Sequence, residues 1–168
     1  MMSLERVLIG SALMLLLGNA HALDGKKIFT EGGSQPGAMP CVACHGADGA
    51  GLAAAGFPRL AGLPALYVRK QLEDFKRGTR ANPVMQPLAN ALTDAEIDAV
   101  SQALAAMPGV VPQPIHRSEM PIGAAQKLAQ QGAWERQIPA CASCHGPAGT
   151  GVGDTFPPLA GQPATYLA

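Results

Sequence analysis

Two pentapeptides carry residue types that can do chemistry at a fixed spacing: CVACH at 41–45 and CASCH at 141–145. On a helical turn, residues three apart share a face. Cys41 and Cys44 can therefore bond one flat group at two points, while the next residue, His45, offers a ring nitrogen to a metal at its centre. Cys-x-x-Cys-His is the haem attachment signature: two thiols add to the two vinyl groups and the imidazole reaches the iron. The same roles fall to Cys141, Cys144 and His145, so two covalently attached haem c groups are expected.

Three other uses of the cysteines compete with this one. A structural zinc site wants its two pairs roughly 15–20 residues apart, whereas Cys44 and Cys141 stand far from each other along the chain. A thioredoxin-like redox pair belongs to a strand-rich βαβ setting, which the pattern here does not supply. Ordinary disulfides account for the cysteines and leave both histidines unexplained.

The iron's remaining axial position decides between carrying electrons and doing chemistry. A His/Met pair closes the site and raises the potential, while an open position admits ligands. Met85 lies in RANPVMQPLA, read as a non-helical, proline-flanked loop between two helices, from which a thioether can be presented to iron. Met107 belongs to the apolar stripe of a helix and is assigned to the core. Met39 is too close to the pentad, Met120 lies between the two halves, and His116 sits in a proline-rich segment as a solvated residue.

The elements that must position these residues occur twice. Cys41, Cys44, His45, Gly49 and Gly51 recur as Cys141, Cys144, His145, Gly149 and Gly151, an offset of about 100 residues. One residue is then lost, and Phe57, Pro58, Gly62 and Tyr67 recur as Phe156, Pro157, Gly161 and Tyr166. In the first copy, Asp24 is placed to cap a short helix running towards Glu31, and a helix is expected over 64–77. Thr93 and Glu96 form a capping box ahead of Ile97, Val100, Leu104 and Met107, which predicts a helix over 93–107. In the second copy a helix is expected through GAAQKLAQQGAWE. The fold class implied is all-α.

Composition sets limits. Twelve basic and twelve acidic residues in 168 produce no global field, which removes the argument for nucleic acid as a partner. Aromatic residues are only 4% of the chain, sparse for two small cores; a haem face buried among short helices would make up the deficit, as small domains commonly need such a staple. At the N-terminus, Arg6 precedes an apolar run over 7–17 and an Ala20-His21-Ala22 site, the pattern of a secretory signal peptide. That run is too short for the ~20 residues of a membrane span. The expected organisation is a signal peptide at 1–22, an N-terminal haem domain at 23–107, a proline-rich linker at 108–117 and a C-terminal haem domain at 118–168, the last incomplete.

Taken in order, CVACHGADGAG, FPRLAGLPALYV, KQLEDFKRGTRANPVM and ALTDAEIDAV, followed by IPACASCHGPAGTGVGDTFPPLAGQPATYL, resemble the di-haem class I cytochromes c of the cytochrome c4 type. The resemblance implies two tandem class I cytochrome domains acting as a soluble periplasmic carrier. Single electrons would pass from respiratory-chain donors to a terminal oxidase or reductase, with redox proteins and membrane complexes such as a cytochrome oxidase as partners. It also implies that Met85 is the axial methionine of haem 1, and that the backbone carbonyls of Pro58 and Pro157 accept the proximal histidines' Nδ1 protons. Leu63 departs from the glutamine usual after this glycine, which Gln162 retains.

No methionine follows His145, and by the spacing of the first copy the second sixth ligand is expected beyond Ala168. The chain is accordingly read as a truncated carrier rather than an enzyme. Two alternatives remain: the cytochrome subunit of a periplasmic dehydrogenase, and a peroxidase-like enzyme with an open second haem. For the peroxidase, Asp154 is the one ionisable side chain after His145 that could serve.

Overall fold

The computed structural model describes residues 22–111 and 123–168. The signal segment, most of the expected linker, His116 and Met120 lie outside the described residues. Within them the regular elements are helices and short 3-10 turns, with isolated bridges such as Leu52 to Phe57 and Val152 to Phe156 in place of strands. The expected all-α class is what the chain forms.

Helix α1, Gly25–Glu31, starts where the Asp24 carboxylate accepts the Lys26 and Lys27 N–H groups at 3.0 and 3.1 Å. Helix α2 is the four-residue turn Val42–His45, with Cys41 as its cap. Helix α3, Ala65–Arg77, ends on Gly78 in the left-handed region. Helix α4 is Met85–Asn90, and α5, Asp94–Ala106, opens with the Thr93/Glu96 capping box expected from the sequence.

Helices α1 and α3 both pack on α5, and α4 packs on α3. The closest approach is at Gly25, where a Cβ would lie 1.9 Å from the Ala99 carbonyl oxygen, so only glycine allows α1 to cross α5 there. Phe29, Ile97, Val100 and Leu104 are almost wholly buried at this crossing. Each such side chain contributes about 1.5–3 kcal/mol by leaving water.

Two expectations are corrected. Residue Met85 does not sit in a loop: it is the first residue of α4. The Asn82 carboxamide oxygen accepts the Val84 and Met85 N–H groups, both at 2.9 Å, which starts the helix, and Pro87 falls in the first turn, where its missing N–H costs nothing. In the second copy, α6 is Ala124–Gln131 and stops at Gly132 with positive φ; Trp134–Arg136 forms a separate 3-10 turn rather than continuing the helix.

Glu96 does more than cap. It is 3% exposed, and its carboxylate accepts from the Thr93 N–H at 2.8 Å, the Thr93 hydroxyl at 2.9 Å and the Ser34 N–H, tying α5 to the turn after α1. Burial pushes its pKa up, but the hydrogen bonds from Thr93 and Ser34 outweigh burial and the net shift is downward. A depressed carboxylate contributes stability above its unfolded value, and that contribution is lost as pH falls through the folded value. Glu96→Gln is expected to lower the unfolding free energy at pH 7 by about 1.5–3 kcal/mol. It should also flatten the loss of stability below about pH 4.3, as read from urea titrations of both proteins at neutral and acid pH.

Candidate haem-binding site

The loop after α2 folds back on itself to reach the histidine. Gly51 N–H donates to the His45 carbonyl at 2.9 Å, Leu52 and Phe57 bridge, and the Leu60 and Ala61 N–H groups both donate to the Gly49 carbonyl. This closure brings the Pro58 carbonyl to 2.9 Å from His45 Nδ1. A carbonyl only accepts, so Nδ1 carries the proton and Nε2 keeps its lone pair. His45 is 5% exposed, and burial pushes its pKa down against the opposing Pro58 hydrogen bond, which keeps the ring neutral and able to bind metal.

The second copy repeats this geometry. Gly151 N–H donates to the His145 carbonyl at 2.8 Å, and His145 Nδ1 lies 2.7 Å from the Pro157 carbonyl. Here the α7 turn, Ala142–His145, plays the part of α2, and α8, Ala164–Leu167, that of the start of α3.

In front of His45 lies a cavity of about 630 Å³, within the roughly 300–1,000 Å³ usual for cofactor pockets. Cys41, Cys44, His45, Pro58 and Met85 all line it, so the residues singled out in the first copy converge on one space. Apolar walls come from Leu63, Val68, Phe75, Leu88 and Leu104. No two of the four cysteines are joined in a disulfide. Burial, with a smaller push from Cys44, raises the Cys41 thiol to about 11 against a backbone hydrogen bond, the opposite of what a thiolate redox pair requires. The donor set and its apolar surround fit a covalently held haem: two thiols, one neutral imidazole, one thioether, and walls able to cover a flat macrocycle. Met107 is partly buried against the core, as expected, and Met39 is exposed beside the pentad.

Some residues at this site were not singled out from the sequence. Arg80 stacks on Phe75 with its guanidinium carbon 4.6 Å from the ring centroid, and donates to Gln71 at 2.6 Å and to the Tyr166 hydroxyl at 2.8 Å. Tyr67 has its pKa raised by burial first and by Tyr166 second, with Arg80 opposing. Residues of the second copy thus complete the cavity of the first: Pro157, Gln162 and Tyr166 line it together with Tyr67 and Arg80. The available signal was the repetition of Tyr67 as Tyr166, since two equivalent tyrosines can meet only if the two copies face each other.

A family model described as cytochrome c matches residues 22–105 and 123–168. The chain belongs to the cytochrome c family. It is 58% identical over 167 residues to a thiosulfate dehydrogenase electron acceptor of Stutzerimonas stutzeri (strain A1501), covering 99% of this chain and 77% of that protein. Among solved structures, cytochrome c4 from Pseudomonas stutzeri superimposes with a TM-score of 0.62 at 34% identity, covering 75% of this chain and 70% of that one. A thiosulfate dehydrogenase from Marichromatium purpuratum superimposes with a TM-score of 0.75 at 43% identity, covering 86% of this chain and 31% of the other. The resemblance to di-haem class I cytochromes therefore holds, and with it the two haem c groups of an electron-transfer cytochrome.

Gly51 is the residue that most directly forms the proximal loop. Its φ is +83°, and a Cβ would lie 2.5 Å from the Phe57 carbonyl oxygen. Gly51→Ala is expected to cost at least about 1–2 kcal/mol from the left-handed conformation alone. It should also lower haem content at the first pentad, as measured by pyridine haemochrome yield per polypeptide against Gly153→Ala, whose Cβ meets nothing within 4 Å.

Proposed function

We propose that this chain is an exported di-haem carrier that accepts single electrons from a thiosulfate-oxidising dehydrogenase, either as a separate partner or as its cytochrome arm, and is not itself an enzyme. The observation that carries the reading is the first haem cavity. The same cavity is lined by His45, whose Nε2 is left free because Pro58 holds Nδ1, and by the Met85 thioether, the two side chains that would hold a haem iron there. The naming of the relative from Stutzerimonas stutzeri supports the donor. The arm variant draws support from the Marichromatium protein, in which a stretch similar to this chain makes up about a third of a polypeptide described as a thiosulfate dehydrogenase. Periplasmic residence follows from the secretory pattern of residues 1–22; among the described residues no helix is long and apolar enough to cross a membrane.

Bound haem supplies a one-electron iron couple. The protein's part is to hold the couple in one coordination state and to keep water from it. Cys41, the cap of α2, and Cys44 within it would hold the macrocycle at two points. His45 would hold the iron through Nε2, since Pro58 occupies Nδ1, and Met85 would supply a soft sulfur that favours the reduced state. Residues 23–107 and 118–168 act as the two haem domains, joined through the proline-rich stretch at 108–117, with His145 serving haem 2.

Two measurements test this. Met85→Ala is expected to convert haem 1 to a high-spin iron and to remove a methionine charge-transfer band from the ferric spectrum, while haem 2 is unaffected. In stopped-flow mixing, thiosulfate with a thiosulfate dehydrogenase should reduce the oxidised protein within the enzyme's turnover time, and thiosulfate alone should not. A low-spin, unshifted haem 1 in Met85→Ala would refute the ligand, and failure of enzymatic reduction would refute the donor.

A further inference from the structure

The two copies differ at two positions that turn out to face each other. Where the first has Arg59 and Leu63, the second has Pro158 and Gln162. The Gln162 carboxamide grips the Arg59 backbone from across the boundary between the copies: Oε1 accepts the Arg59 N–H at 3.0 Å, and Nε2 donates to the Arg59 carbonyl at 2.9 Å. Only the oxygen can accept from an N–H, so the carboxamide orientation is determined.

The Arg59 N–H belongs to the same peptide group as the Pro58 carbonyl, and that carbonyl holds His45 Nδ1. A continuous chain therefore runs from Gln162 through one peptide unit to the imidazole. An acceptor on the N–H side polarises the peptide and strengthens its carbonyl as an acceptor, by roughly 10–30% per bond in the condensed phase. The Arg59 side chain anchors the segment further, with Nε donating to the Ala61 carbonyl at 3.1 Å and the guanidinium donating to the Pro108 carbonyl at 2.6 Å.

The reciprocal chain does not exist. Pro158 has no N–H to donate, and Leu63, 5% exposed, is packed in the core of the first copy with no polar atom to offer. Donor and acceptor are missing together from the relay that would have acted on His145.

We propose that Gln162 is a positioning residue for the first haem: through the Pro58–Arg59 peptide it strengthens the hydrogen bond on His45 Nδ1, makes the imidazole a stronger electron donor, and selectively lowers the reduction potential of haem 1. The second copy thereby sets the poise of the first, and the two potentials are separated in one direction. The inference rests on the assignment of His45 to the iron of haem 1.

The test uses the full chain carrying both haems, reduced and labelled with nitrogen-15 histidine. In Gln162→Leu the His45 Nδ1 proton should move upfield while that of His145 stays, and the ferrous fraction of haem 1 at a fixed solution potential should rise. The expected change is about threefold in the Fe(II)/Fe(III) ratio, roughly 30 mV on a one-electron scale of 59 mV per decade. Gln162→Glu keeps the acceptor and loses the donor, so its His45 proton should not move upfield. Thr165→Val removes a separate bond across the boundary, from the Thr165 hydroxyl to the Ala53 carbonyl at 2.6 Å, and should leave both readouts in place. A ring-current-shifted His45 whose Nδ1 proton ignores Gln162→Leu overturns the relay, as does an equal response to Thr165→Val or an upfield shift in Gln162→Glu. A His45 lacking the ring-current shift of an iron-bound imidazole overturns the ligand assignment and the relay with it.

Discussion

Everything at the first site depends on one hydrogen bond, from His45 Nδ1 to the Pro58 carbonyl. A four-residue helix cannot orient its last side chain alone. The imidazole is held by a loop that leaves α2, turns at Gly46, Gly49 and Gly51 with positive φ, and returns thirteen residues later at Pro58. Proline is a sound choice for this carbonyl because its φ is fixed, so the acceptor is aimed by covalent geometry as well as by the bridge at Leu52 and Phe57. Ring orientation, tautomer and basicity of the imidazole follow from that contact.

Helices α1, α3 and α5 serve a different purpose. Their crossing around Phe29, Ile97 and Leu104 makes a core that stands beside the cavity rather than around it. Leu63, Val68, Val100 and Leu104 take part in both, presenting apolar surface to the core and to the cavity wall. This shared wall explains how a chain with 4% aromatic residues makes a compact unit: the macrocycle face is the large flat side chain that the sequence does not encode.

Much of this was legible from local signals. The capping box at Thr93 and Glu96 and the Asp24 cap are short-range rules, and each appears where the sequence put it. The pentads and the repeat located the attachment residues of both haems. Met85 was singled out as a candidate iron ligand and does line the cavity, but it was assigned to a loop because the prolines flanking it read as breakers; Asn82 capping a six-residue helix with Pro87 in its first turn was the competing local rule. The tertiary role of Glu96 towards Ser34, and the Arg80 contact with Tyr166, involve partners distant in sequence and leave no periodic mark.

The contact between copies shows what comparison within one chain can add. Where two halves of a repeat are built alike, shared residues report the common task, here attachment and proximal geometry. Residues that differ report the relation between the halves. A proline in place of Arg59 and a glutamine in place of Leu63 look unremarkable one at a time. Together they convert a symmetric encounter into a one-way connection, because the half that keeps the backbone donor faces the half that keeps the side-chain acceptor. Two haems in identical environments would have equal potentials and no preferred direction of transfer. A duplicated carrier gains direction only by breaking its own symmetry, and at the Pro58–Arg59 peptide that asymmetry is two residues deep and one peptide group from the His45 imidazole.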